Sequence, residues 1–419
     1  MYRLSNTVRD YPWGSTTAIA ELFGTRATGG PEAEMWIGAH PDSPSAASHP
    51  DLEGTTPLDE LVATDPVLFL GEETATRFGR LPFLAKILAA EKPLSLQVHP
   101  TLDQARAGFA AEQEAGVDRS ASHRNYKDDN HKPELLFALT AFSALCGFRP
   151  AGESAALFTW LADTIDADPE LPDADGSAQA VARRTATTLG QGDLRGAFTQ
   201  LLSGGEDVAR LVGLASAAVA SGRHQVHDPG LAELETLNGF HPGDPGVLVS
   251  LMLNHLTLEP GQAIYLPAGN IHAYLRGLGV EVMASSDNVL RGGLTGKHID
   301  LPELMDTVDF HSLGVPHLEA AENLLGQEIY RPPFDEFQLQ RIALPGDALL
   351  AGDDVAVAQN GPVAIICVSG DLLLDSPRGN LELARGQSAF IPAAEAPVVA
   401  KRLGQGPAVA FAVTTGSTR

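Results

Sequence analysis

The sequence predicts a mainly β protein, built as two β-barrel units with an α-helical domain inserted into the first. Three observations carry that expectation. Short apolar runs punctuated by Gly, Pro and Asp fill the first 150 residues and return after about residue 240. Between them lies Ala-rich, Lys-free sequence with apolar residues at helical spacing. A pattern of turn, short strand and proline occurs once in each expected β unit. The first barrel is therefore assigned to residues 1–150 and 240–325, the helical insertion to 151–239 and the second barrel to 326–419. A chain of 419 residues has room for this many units and their cores.

Taken in order, residues 67–70 and 135–139 read as short strands, and residues 102–116 as a helix between them. In the insertion, Val208, Leu211, Val212 and Ala215 fall at i, i+3, i+4 and i+7, one face of a helix. The Asp-rich piece 163–175 reads as a loop between helices. Beyond it, Pro242-Gly, Pro245-Gly and Pro260-Gly mark turns. Residues 331–419 read as a separate β unit, with turns at Ser369-Gly-Asp371 and Arg385-Gly-Gln387. The repeated pattern is Gly261-Gln-Ala-Ile-Tyr-Leu-Pro267 and Gly386-Gln-Ser-Ala-Phe-Ile-Pro392. The first copy continues to Gly269 and His272, whereas the second has neither residue, as expected of a duplicated barrel whose second copy lost its site.

Composition narrows the function. With 28 Lys plus Arg against 53 Asp plus Glu, the formal charge is -25, which repels phosphate backbones and anionic lipid. No nucleic-acid or membrane partner is expected. The first ten residues hold no apolar signal core, and no apolar run approaches the ~20 residues of a membrane span. Two cysteines, Cys146 and Cys367, are too few for a disulfide framework or a thiolate zinc site, and read as small buried hydrophobes. A soluble, cytoplasmic protein is expected, working as a monomer on a small molecule.

Three segments carry chemistry. In Leu94-Ser-Leu-Gln-Val-His-Pro100, Ser95, Gln97 and His99 alternate with apolar residues, so all three share one face of a strand. That face lines either a cavity or a solvent-facing edge. In His131-Lys-Pro-Glu134, Glu134 opens an apolar run, which brings its carboxylate to a strand end near the interior unless it is simply exposed. His131 reads as a turn residue or a partner rather than a ligand. In the third, Pro267 and Gly269 force a tight turn, and His272 and Tyr274 share the inward face of the next strand. The spacing Gly-x5-Pro-x-Gly-x2-His resembles the second metal motif of cupins, which implies jelly-roll β-barrels. Gln97, His99, Glu134 and His272 together offer two imidazoles, a carboxylate and an amide oxygen, a set that suits one Zn²⁺ with a position left for water or substrate. Five of the six lysines, Lys86, Lys92, Lys127, Lys132 and Lys297, lie in or beside these segments, either as an anion pocket or as solvated surface. Lys92 is assigned to the surface. Glu281 is placed to face the cavity, and Arg291 precedes Gly292-Gly293, where the backbone can approach a ligand; a surface ion pair is the other fate for that Arg.

Tyr11-Pro-Trp-Gly-Ser15, Glu34-Met-Trp-Ile-Gly-Ala-His-Pro41, Leu94-Ser-Leu-Gln-Val-His-Pro100, His131-Lys-Pro-Glu134 and Ser286-Asp-Asn-Val-Leu-Arg-Gly292 stand in this order along the chain. Together they closely resemble the type I mannose-6-phosphate isomerase family. The resemblance implies a zinc enzyme interconverting mannose 6-phosphate and fructose 6-phosphate, an aldose–ketose isomerisation through an enediol. It implies zinc ligands at Gln97, His99, Glu134 and His272 and a catalytic arginine at Arg291. It maps the substrate pocket onto Trp13, Glu34, Lys86, Ser95, Lys132, Tyr274, Glu281 and Asp287. Either Glu281 or a zinc-bound water would be the base, and Lys86 and Lys132, with Ser95, would hold the phosphate or polarise sugar hydroxyls. Two alternatives stand beside this reading. A cupin metal-dependent oxygenase would want His-rich or two-His-one-carboxylate ligation, which Gln97 and the lysines argue against. A non-catalytic sugar-phosphate-binding protein would need neither the ligand set nor Arg291.

Overall fold

One long strand, His272–Ala284, organises the first half of the molecule. The computed structural model describes residues 1–322, 327–346 and 354–416. Up to Arg276 that strand pairs with Leu96–Val98 and Phe142–Phe148, and from Gly277 onward with Phe83–Ala90 and Glu134–Ala138. The change of partners falls at a bulge between Tyr274 and Arg276. Gly277 sits there at φ 135°, where an added Cβ would meet Phe142 Cα at 2.8 Å. Only glycine accepts both the backbone conformation and that approach, and bulge and glycine together let the strand bend. Val280 and Val282 are buried in a core that the two larger sheets share.

Between the Phe142–Phe148 and Leu253–Leu258 strands run the helices Ala151–Ala167, Ser177–Gly190, Leu194–Leu202, Gly205–Ala220 and Pro229–Phe240. Val208, Leu211, Val212 and Ala215 are all buried on the expected face. Asp193 and Asp228 cap two of these helices by accepting backbone N–H groups. The Asp-rich piece is only partly a loop. Asp163 and Asp166 sit on the exposed side of the first helix, which continues because Leu161, Ala162 and Ile165 bury the opposite side.

Two other short segments differ from the sequence reading. Residues 67–70 form a helix, Pro66–Leu70, with Pro66 at its first position and Asp65 accepting from Leu68 N at its start. A run of four apolar residues is too short to reveal its own period. Pro245-Gly begins the helix Gly246–Val249 rather than a turn.

The last part of the chain is β, but it does not stand apart. Among the described residues its largest sheet takes in three strands from the other end of the chain, Tyr2–Ser5, Ala46–Ser48 and Thr56–Pro57. Tyr2–Ser5 pairs directly with Ser388–Ile391. Such a pairing has no local signature. The two copies of the repeated pattern agree closely: Gly261 and Gly386, at φ 96° and 85°, each precede a four-residue strand ended by proline. Cys146 and Cys367 are free and buried. Among the described residues no helix is long and apolar enough to cross a membrane.

A carboxylate ties the helices to the long strand. Glu233 accepts two hydrogen bonds from Arg276, at 2.8 and 3.1 Å, and lies 3.7 Å from His255. His255, together with Arg276, holds its carboxyl down at about 2, against the opposing pull of burial. A lowered folded-state pKa gives stability that is present above the ordinary carboxylate range and lost as pH falls toward 2. Glu233→Gln is expected to cost ~1.5–3 kcal/mol, the worth of hydrogen bonds to a charged group. Thermal melts check this: the variant's Tm deficit should be full at pH 7 and narrow below pH 4.

Candidate metal centre

Three strands place their side chains in one row. Gln97 pairs in register with His272 on one side and Arg291 on the other, so all three project from the same face. Cys146 is His272's other neighbour, and burial pushes its thiol up to about 12, so it packs as a neutral group. His99, two residues beyond Gln97, shares the row's face and is 1% exposed. Glu134 begins its strand as expected and is buried.

The imidazoles converge on Glu134. His99 Nε2 lies 3.3 Å from Glu134 Oε1, and His272 Nε2 lies 3.4 Å from Oε2. His99 Nε2 is buried without a hydrogen-bond partner. Each ring turns its other nitrogen to a backbone carbonyl, His99 Nδ1 to Asn288 O at 2.7 Å and His272 Nδ1 to Asn270 O at 3.0 Å. A carbonyl only accepts, so both Nδ1 atoms carry the proton and both Nε2 lone pairs point into the cluster. Burial and the nearby Lys132 charge lower His99 to about 4, which keeps its ring neutral, as a ligand must be. Bonds of ~2.0–2.1 Å about a tetrahedral zinc separate neighbouring ligand atoms by about 3.3–3.4 Å. The observed N···O separations match that edge. The residues fit a zinc ion.

The turn before His272 is built for this. Gly269 lies at φ 78°, and its N–H donates to His99 O at 2.9 Å, tying one ligand's turn to the other ligand's backbone. An added Cβ there would also press on Asp309 at 3.1 Å.

Around the centre lies a buried ionic web. Lys132 Nζ is 3.1 Å from Glu134 Oε1. Lys86 Nζ is 2.9 Å from Glu281 Oε2 and 3.4 Å from Glu34 Oε1, with the Trp36 ring centroid 5.3 Å away. Tyr274 directs its hydroxyl at Glu134 Oε2, 3.5 Å away. Burial would raise the Glu134 carboxyl, but the Lys132 ammonium leads the opposing effects and the carboxyl is held well below its ordinary value. Glu281 goes the other way. Burial raises it, with Glu134 and Glu34 adding to the rise and Lys86 opposing it.

Other expected residues fall differently. Lys86 and Lys132 each have carboxylate partners. Lys92, Lys127 and Lys297 are exposed. Arg291, half-buried, and Lys127 both bear on Lys297, whose ammonium is lowered by burial and then by these two charges. Gly292 and Gly293 are closely packed: an added Cβ on Gly293 would meet Gly246 Cα at 2.6 Å, and one on Gly292 would meet Ile271 at 3.2 Å. Asp287 stands apart from the ligands, in a cluster with His40 at 3.5 Å and Arg119 at 3.2 Å. Trp13 stacks on Tyr11 and packs against the apolar cluster that includes Tyr274. Ser95 is partly exposed just before its strand. His131 bonds Glu336 at 2.6 Å, a carboxylate outside the ligand cluster.

Sequence reasoning missed Trp36, whose indole N–H donates to Glu34 Oε2 at 2.7 Å while its ring faces Lys86. Its position two residues after Glu34, on the same strand face, was the available signal.

Two imidazoles and a carboxylate closing on one buried point define a mononuclear metal centre in a β scaffold, flanked by ammonium and carboxylate groups suited to a polar substrate. Comparison with known proteins narrows the class. Residues 1–151 match the family model of the phosphomannose isomerase type I catalytic domain. The chain is 38% identical to mannose-6-phosphate isomerase of Escherichia coli (strain K12), over 97% of this chain and 98% of that one. A crystal structure of a mutant phosphomannose isomerase from Salmonella typhimurium superposes with a TM-score of 0.86 at 35% identity, covering both chains fully. A zinc-bound mannose 6-phosphate isomerase gives 0.85 at 35% identity over 99% of each chain. The chain belongs to the type I mannose-6-phosphate isomerase family.

Proposed function

We propose that this protein is a zinc-dependent isomerase interconverting mannose 6-phosphate and fructose 6-phosphate. The observation that carries the reading is the meeting of His99, Glu134 and His272, with Gln97 and Arg291 in register beside them. Gln97, His99, Glu134 and His272 would hold one zinc ion per chain. When bound, zinc supplies a Lewis acid for the oxygens of the sugar.

The chain's own groups do the rest. Isomerisation moves a proton between C1 and C2 through an enediol, and Glu281 is assigned as the base that takes and returns it. Lys86, 2.9 Å from Glu281, donates to a sugar oxygen and holds the Glu281 carboxylate in place. Arg291 remains protonated and stabilises the negative charge that develops on the enediolate oxygens. Lys132, Glu34 and Tyr274 hold sugar hydroxyls, with Ser95, Trp13 and Asp287 lining the approach. Since the buried lysines are matched by carboxylates, the phosphate is assigned to the side of Lys297, where the Arg291 and Lys127 charges both bear on its ammonium and an anion relieves it.

The architecture behind the site is read as a catalytic cupin-type jelly roll from residues 1–150 and 240–325, a helical insertion at 151–239, and a metal-free second barrel at 326–419 that borrows the three N-terminal strands. The protein is placed in the cytoplasm, where two unpaired buried cysteines are at home. The protein is read as a monomer.

Stripping the protein with chelator and assaying fructose 6-phosphate formation with and without Zn²⁺ tests the reading. Activity should vanish and return with one equivalent of zinc. Stoichiometric zinc binding without isomerisation would overturn it in favour of a sugar-phosphate-binding protein. Arg291→Ala is expected to keep its zinc while kcat falls about 10²–10³-fold, as on losing one oxyanion donor. Metal analysis beside steady-state kinetics checks both halves.

A further inference from the structure

Asn288, fully buried, makes more hydrogen bonds than filling a loop requires. Its carbonyl oxygen is the acceptor for His99 Nδ1 at 2.7 Å. Its side chain is knotted into the segment that leads to Lys132 and Glu134. Asn288 Oδ1 accepts from Lys127 N at 2.7 Å and Asp128 N at 3.3 Å. Asn288 Nδ2 donates to Asp128 O at 2.7 Å and Asn130 O at 2.9 Å. Neighbouring bonds close the knot. Ser286 donates to Asp128 Oδ1 at 2.7 Å, and Asp287 N donates to Asp128 Oδ2, also at 2.7 Å.

One residue thus fixes the ring of one candidate ligand with its main chain and the segment carrying the next with its side chain. His99 and Glu134 sit 35 residues apart in sequence, and their 3.3 Å approach needs both anchors held in register. We propose that Asn288 is a positioning residue for the metal centre. It locks the 127–130 segment to the loop before Arg291, so that the proton of His99 stays on Nδ1 and its Nε2 lone pair stays aimed at the metal position. The carbonyl can orient the ring only while the side chain pins its peptide, which makes the amide group the part that mutation can reach. This rests on the zinc reading above.

The test is zinc release from the holoprotein into excess chromogenic chelator. Asn288→Ala is expected to release zinc about 10–100-fold faster than wild type, the usual range for losing a partner that orients a metal-bound His. A buried variant in the core of the C-terminal sheets, Ile342→Val, gives the control for general destabilisation and should release zinc at the wild-type rate. If Asn288→Ala fails to fold, Asn288→Asp serves: it keeps an acceptor for Lys127 N but turns both donors into acceptors facing carbonyls. It should also release zinc faster than wild type. Release at the wild-type rate from whichever variant folds would overturn the proposal. Wild-type protein that binds no stoichiometric zinc would instead overturn the reading on which it rests.

Discussion

His272→Ala is expected to yield a folded protein without bound zinc and without measurable isomerase activity. His272 supplies one of two imidazole nitrogens, and its Nε2 has no other orientation available while Nδ1 is committed to Asn270 O at 3.0 Å. Truncation leaves Glu134 facing His99 and Lys132, a carboxylate already paired, with an apolar gap where the second nitrogen stood. Removing a ligand should therefore cost more than the roughly 10–100-fold typical of removing a ligand's partner. Folding should survive, because His272 lies in a long strand held by neighbours on both sides. Two measurements separate these effects. Metal analysis should find wild type near one zinc per chain and the variant near none. Added zinc should raise the wild-type Tm, by about 4 kcal/mol of linkage at a thousandfold excess over Kd, and leave the variant's unmoved. Full zinc occupancy in the variant would sink the ligand assignment.

What was legible in the sequence was whatever has a short period. Ser95, Gln97 and His99 announced a shared face because strands alternate, and the structure sets Gln97 directly between His272 and Arg291. Val208 to Ala215 announced a helix for the same kind of reason. Long-range pairing was not legible. Nothing in Tyr2–Ser5 says that it will sit beside Ser388–Ile391, and nothing local in Lys86 says that Glu281 and Glu34 will neutralise it. The clustering of lysines in sequence reported proximity to the site, whereas charge balance depends on which carboxylates arrive from other strands. Asn288 was hidden in another way, since its function lies in a carbonyl that every residue has and in a side chain bonded to backbone.

Glu281→Gln is the variant that separates chemistry from binding. Glu281 lies opposite Lys86 on the adjacent strand, is 3% exposed, and makes no claim on the metal position. Burial raises its carboxyl, and the Glu134 and Glu34 charges add to the rise, while Lys86 pulls it back. A raised value brings a carboxyl nearer the working pH, which suits a group that must both accept and return a proton. It also fixes a sign. The basic form is populated above the raised value, so kcat/KM should fall with acid on a limb lying above the ordinary carboxylate range of about 4.3. Gln is nearly isosteric and keeps a hydrogen-bond acceptor for Lys86, so zinc content and KM should stay close to wild type. It cannot take the C2 proton, and kcat should drop about 10²–10⁴-fold, the range for losing general acid–base catalysis. The residual rate should lose the acid limb. A Gln variant within tenfold of wild type and still showing that limb would move the base elsewhere and leave Glu281 as the counter-ion that keeps Lys86 in place.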